Sequence, residues 1–192
     1  MDAYRVALPM RTPANSEGKA LVVLEQGMRA AGGWLPNMYG NMANSPGLLQ
    51  TYLEGYDRFR SASGFTPAEQ EVVFLTVSRF NECTYCMAAH SFVGDKISGV
   101  PTEVTDAIRA DEAIPDAKLE ALAAFTRALL VGRGRPSHED AAAFLAAGYR
   151  EGHMLDLILA ISVKVLSNYT NRLFQTSVDD TFAERSWSPP QR

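Results

Sequence analysis

The sequence predicts an all-helical protein. Apolar residues recur at three- and four-residue spacing along nearly the whole chain, and the strict alternation that marks a half-buried strand is hard to find. Helix start and stop signals punctuate this pattern throughout. At 192 residues the chain fits one domain, or two small halves sharing a core, and should bury roughly 70% of its unfolded surface.

Residues 1–16, with Pro9 and Pro13, read as an extended arm. The spacing predicts a first helix over roughly Glu17–Ala31, ended by Gly32-Gly33. Trp34–Ser45 is aromatic and turn-rich, with Pro36 and Asn37 placed to break any helix. Ser45 then caps a helix with Pro46 in its first turn, running to about Ser61. Thr66-Pro67-Ala68-Glu69 is the best-marked start in the chain: an N-cap, a proline at the first helical position and a glutamate at the third form a capping box. That helix carries Val72, Val73, Leu75, Val77 and Phe80 and weakens at Asn81-Glu82. Another should begin near Cys83 and end around Ser98-Gly99. Pro101-Thr102 opens a short helix, and Pro115 opens one that ends at Gly132-Arg133-Gly134. Ser137 and Asp140 mark a further start, and Gly148 separates it from a long apolar helix, about Glu151–Phe174. The expected domain is 17–185, with its core motif in 64–98, and 186–192 is an irregular tail with Pro189-Pro190.

Two related helical halves are a further expectation, from a weak similarity at an offset of 84 residues. Gly64-Phe65 aligns with Gly148-Tyr149, Leu75 with Leu159, Ser78 with Ser162, and Tyr85 with Tyr169. Where the first half has Cys83, Cys86, Glu71 and His90, the second has Ser167, Thr170, Leu155 and Phe174. Only the first half would keep chemistry.

Composition narrows the function classes. A hydrophobic fraction of 46% with a net charge of −4 argues against disorder. The acidic balance argues against a nucleic-acid binder, which would carry clustered basic residues. No run of about 18 apolar residues offers a membrane span, and the first residues lack the basic-then-apolar layout of a signal peptide. A soluble cytoplasmic protein is expected.

Both cysteines sit in Cys83-Thr84-Tyr85-Cys86. One isolated pair at this spacing suggests redox chemistry or half of a metal site rather than a disulfide scaffold. At i and i+3 of a helix start the thiols face one side, and His90 adds an imidazole four residues on. The unpaired N–H groups of a helix start favour a thiolate, and an imidazole can lower a thiol pKa further or take its proton. Glu71, twelve residues before Cys83, could orient His90 or shuttle a proton. His138 and His153 have no thiol partner in sequence and read as structural. Trp34, Met38 and Tyr39 read as core or subunit interface, although aromatic residues in such a turn could line an apolar entrance to the thiols. Arg133 and Arg135 read as a solvated loop.

Glu71, eleven residues, then Cys83-x-x-Cys86-x-x-x-His90 resembles the signature of the AhpD-like alkylhydroperoxidases, within the carboxymuconolactone decarboxylase superfamily. Asn81-x-Cys83-x-Tyr85-Cys86 resembles the form common in its peroxidase-related members. The resemblance covers about residues 35–130, and the long C-terminal helix also fits. It implies an all-α, compact multi-helix bundle that forms homo-oligomers (trimer, hexamer or dimer) and reduces organic or hydrogen peroxides. Cys86 matches the thiol that attacks peroxide and becomes a sulfenic acid. Cys83 matches the proton donor that then closes the disulfide, and Glu71 and His90 match the proton relay. Tyr85 stands where some members have a second relay histidine; a phenol is a poor base near neutral pH. Thioredoxin-like reasoning would instead make the first cysteine the acidic one. The implied electron donor is an external dithiol or disulfide reductase, a lipoyl-bearing protein in some of the family. No haem, flavin or metal is implied.

Three other readings stand beside the peroxidase. A lactone-processing decarboxylase on the same fold would not need the dithiol. A metal-binding or redox-sensing oligomer would use Cys83, Cys86, His90 and Glu71 as zinc ligands, a cramped arrangement on one helix. A scaffold with a vestigial dithiol is the last.

Overall fold

A computed structural model describes residues 3–190, and among these it contains helices and turns but no strand. The helices are α1 (Gly18–Ala30), α2 (Asn37–Met42), α3 (Pro46–Ala62), α4 (Pro67–Phe80), α5 (Thr84–Val93), α6 (Thr102–Ala110), α7 (Ala117–Val131), α8 (His138–Ala146) and α9 (Glu151–Phe174). The outermost residues of the expected arm and tail, 1–2 and 191–192, lie outside the described residues.

The start signals act as their chemistry dictates. Thr66 accepts from the Glu69 N–H while the Glu69 carboxylate accepts from the Thr66 N–H at 2.8 Å, closing the capping box on α4. Ser137 and Asp140 do the same for α8. Asp116 caps α7, so the proline at 115 stands one residue before the cap. Thr66 and Arg150, 84 residues apart, are both N-caps, but the chain diverges beyond them. The first stretch breaks at Glu82, which takes a left-handed conformation (φ 51°), while α9 runs on without interruption.

Two segments differ from expectation. Pro36 and Asn37 start a helix rather than break one: Pro36 is the N-cap of α2, where the absence of a proline N–H costs nothing. A 3-10 segment, Asp180–Arg185, forms after α9 and packs on α5. Both the arm and the tail are docked. Val6 N–H donates to Leu173 O, Arg11 N–H to Gly40 O, and the Trp187 indole to Arg109 O.

The apolar residues form two clusters. One gathers α4, α6, α7 and α8 around Phe74, Leu122, Phe125 and Phe144. The other gathers α1, α2 and α3 around Leu24, Met42, Leu49 and Tyr52, and includes both cysteines. Tyr56 and Leu159 pack against both, so α3 and α9 lie at the seam. The site is built there.

Candidate active site

α4 and α5 meet at a break that creates the thiol pair. α4 ends at Phe80 with Asn81 as its C-cap, Glu82 turns the chain, and Cys83 becomes the N-cap of α5. Its sulfur accepts the Cys86 N–H at 3.4 Å, the role that a serine or aspartate oxygen fills at other helix starts. α9 buttresses the break: the Arg172 guanidinium donates to Asn81 O and Glu82 O at 3.0 and 2.8 Å, and the Asn81 amide donates to Asn168 Oδ1.

Both cysteines are reduced and buried. Cys86 faces α9, where Asn171 Nδ2 donates to its sulfur at 3.3 Å and Ser167 Oγ lies 4.0 Å away. Lys164, one turn before Ser167, is fully buried. Burial pushes the Cys86 thiol up. The hydrogen bond from Cys83, the Lys164 charge and the Asn171 amide oppose it, and the thiol lies well below its ordinary value. Cys83 goes the other way: burial and its hydrogen bond to Cys86 hold it well above. The two thiols are thus pulled in opposite directions, Cys86 down and Cys83 up.

Glu71 sits in the second turn of α4 and is fully buried. One carboxylate oxygen meets His90 Nδ1 at 2.8 Å, and the other accepts a hydrogen bond from Arg60 of α3. Burial pushes the Glu71 carboxyl up, but His90 and Arg60 bring it below the ordinary carboxylate value. Burial and the nearby Lys164 charge lower the His90 pKa against the pull of Glu71. With Glu71 ionised, the Nδ1 of neutral His90 carries the proton and Nε2 offers a lone pair.

Cys83, Cys86, His90 and Glu71 are thus brought together. Tyr85 borders the same cavity as Cys86 and His90, but its hydroxyl donates to Asp179 Oδ2 at 2.5 Å, and Asp179 also accepts the Asn37 N–H. The phenol ties the 3-10 segment and α2 over the site. Burial and Asp179 push its pKa up. The zinc arrangement is not met: the Glu71 carboxylate is occupied by His90 and Arg60. Among the described residues no three His, Cys, Asp or Glu side chains are placed to hold a metal ion. His153 packs on Phe65, with ring centroids 4.8 Å apart, and accepts the Arg150 N–H, away from the thiols.

The two sulfurs border different spaces. Cys86 lines a cavity of about 330 Å³ walled by aromatic rings, among them Trp34, Tyr39, Tyr52 and Phe182, with His90 and Lys164 beside it. Cys83 lines a separate, more polar groove of about 770 Å³ with Asn81, Glu82, Asn171 and Arg172. Sequence reasoning had not found Lys164, Asn171, Arg60 or Asp179. Lys164 did leave a signal, as an isolated cation in an apolar stretch of the longest helix.

The sequence matches no protein-family model and no curated protein. Solved structures do match. The chain is similar to an alkylhydroperoxidase AhpD core protein, an uncharacterized peroxidase-related protein from Ralstonia eutropha JMP134, with a TM-score of 0.79 at 20% identity over 95% of this chain and 97% of that one. An uncharacterized peroxidase-related protein from Silicibacter sp. TM1040 gives 0.75 at 18% identity over 93% of each chain. The debrominase Bmp8 in complex with 2,3,4-tribromopyrrole gives 0.75 at 13% identity over 96% and 97%. The protein therefore has the all-α AhpD-like fold. That fold carries more than one activity, since a debrominase shares it.

Proposed function

We propose that the protein is a thiol-dependent peroxidase, with residues 17–185 acting as one domain. The observation that carries this reading is geometric: the Cys83 sulfur caps the helix that carries Cys86, the Asn171 amide donates to the Cys86 sulfur, and the buried Glu71–His90 pair borders the same site. The Cys86 thiolate attacks the terminal peroxide oxygen, the O–O bond breaks, and Cys86 becomes a sulfenic acid while an alkoxide leaves and is protonated to the alcohol. The Cys83 sulfur then attacks the Cys86 sulfur. The S–O bond breaks, the Cys83 proton passes by way of His90 Nε2 to the departing hydroxide, and water leaves behind a disulfide. An external dithiol supplies two electrons and two protons to restore the pair, attacking from the groove on the Cys83 side. No cofactor is needed for this cycle. We further propose that the protein works as a homo-oligomer in the cytoplasm. No helix among the described residues is long and apolar enough to cross a membrane.

A second reading has one observation in its favour. The aromatic-walled cavity at Cys86 is larger than a peroxide group requires and suits an aryl compound. Reductive dehalogenation needs the same electrons: an aryl bromide plus two thiols gives the arene, hydrogen bromide and the disulfide.

The experiment is intact mass with free-thiol count on reduced protein, before and seconds after one equivalent of cumene hydroperoxide. Loss of two thiols and two hydrogens, abolished in Cys86→Ser, is the expected result. Cys83→Ser should stop at a sulfenic acid trapped by dimedone. Thiols that survive peroxide but are lost to a bromopyrrole would move the assignment to dehalogenation.

A further inference from the structure

Cleaving a peroxide leaves a basic oxygen in an apolar cavity, and something must give it a proton. The groups bordering that cavity can be taken in turn. His90 spends its one N–H on Glu71 and offers only a lone pair. Tyr85 spends its hydroxyl on Asp179. Burial makes the phenols of Tyr39, Tyr52 and Tyr56 still weaker acids than usual, and the Trp34 indole and the Thr181 hydroxyl are weaker acids again. Cys83 borders the other space, and its proton is spent at the later step that closes the disulfide. Lys164 remains. It borders the Cys86 cavity, is fully buried, and its Nζ has no hydrogen-bond partner among the described residues. A buried ammonium without a partner is expensive to keep. It stands over the Phe74 ring, 5.4 Å from Nζ to centroid, a cation–π contact that satisfies none of its three N–H groups. Its charge is nevertheless felt at Cys86, Cys83 and His90 alike.

We infer that Lys164 is a catalytic residue whose ammonium binds the leaving oxygen of the substrate and donates the proton that turns it into an alcohol. This assignment rests on the peroxidase reading and adds a step to it. The Cys86 sulfur gives an electron pair to the terminal oxygen, the O–O bond breaks, and the departing alkoxide takes one Lys164 proton. The products are Cys86 sulfenic acid, a neutral alcohol and a neutral Lys164 amine, which regains its proton from water. The substrate completes the shell of hydrogen bonds that the free protein leaves open. The class of substrate that gains most is an alkyl or aralkyl hydroperoxide, whose alkoxide is a poor leaving group. A peracid leaves as a stable carboxylate and gains little.

That contrast is the test. Lys164→Met removes the ammonium and keeps the length of the side chain; a melting curve checks that the fold survives. Rates with cumene hydroperoxide and with peracetic acid are read by stopped flow on the pH plateau, where Cys86 is ionised in both proteins. Lys164→Met should slow cumene hydroperoxide by about 100-fold, the scale of losing one donor to a developing oxyanion. Peracetic acid should slow by less than about 5-fold, with no proton needed on its leaving group. Equal slowing of both oxidants, or of neither, would overturn the Lys164 assignment alone. A wild-type protein inert to both would overturn it together with the peroxidase reading.

Discussion

Glu71 is gripped from two sides, by His90 at one oxygen and by Arg60 at the other, and the Arg60 guanidinium also donates to Tyr56 OH at 2.7 Å and Gln70 Oε1 at 3.1 Å. Removing one partner of such a pair strands a buried charge, so Glu71→Gln should lose about 3–5 kcal/mol of stability near neutral pH, read by urea unfolding. The folded protein keeps Glu71 ionised to lower pH than the unfolded chain does. Its contribution is therefore complete above the unfolded value of about 4.3 and is lost as the pH falls through the depressed folded value. The gap between wild type and variant should close over that acid range; a gap that stayed constant would contradict an ionised Glu71. His90 works in the same direction from a higher pH, since its folded value is also lowered and the unfolded chain takes up a proton first, below about 6.5. Cys83, Cys86, His90 and Glu71 were legible because three lie within eight residues and the fourth precedes them by a family spacing. Asn171 reaches Cys86 across 85 positions of chain, and no local pattern encodes that distance.

Helices α3 and α9 approach closely enough to fix what α9 offers the thiols. A Cβ on Gly55 would meet Val163 Cγ2 at 2.7 Å, next to Lys164 in the chain, so the glycine sets the separation of the two helices. Gly55→Ala should destabilise by roughly 1–3 kcal/mol through overpacking. Gly47, in the first turn of α3, faces open space. There the same change should stabilise by up to about 1 kcal/mol, because alanine loses less backbone freedom on folding. Thermal unfolding of the two variants compares one helix with itself, and equal shifts would show that helix propensity, not packing, governs both. Most helices were readable from caps and periodicity. The starts at Thr66 and Ser137 needed only their own four residues. α2 and the 3-10 segment were missed because they are short and owe their place to long-range contacts, such as Asp179 with both Tyr85 and Asn37.

The outer face of α9 presents Leu155, Ile158, Tyr169 and Leu173 to solvent, at 74%, 43%, 58% and 47% exposure. Helical geometry puts them in one stripe, opposite Lys164, Ser167 and Asn171 on the buried side. An apolar stripe of this length suits a second copy of the chain. Sedimentation should find species well above the 21.0 kDa of one chain, and Leu155→Glu with Tyr169→Lys should shift the population toward that mass. A wild-type protein that sediments at 21.0 kDa would remove the homo-oligomer from the account. The groove on Cys83 has a practical side at the bench. Ala3 and Tyr4 from one end of the chain, and Pro189 from the other, stand on its rim. A bulkier or charged side chain at Ala3, Tyr4 or Pro189 alters the approach to that sulfur from outside the catalytic residues. Thiol-labelling rates therefore report on the arm and the tail as much as on the thiol itself.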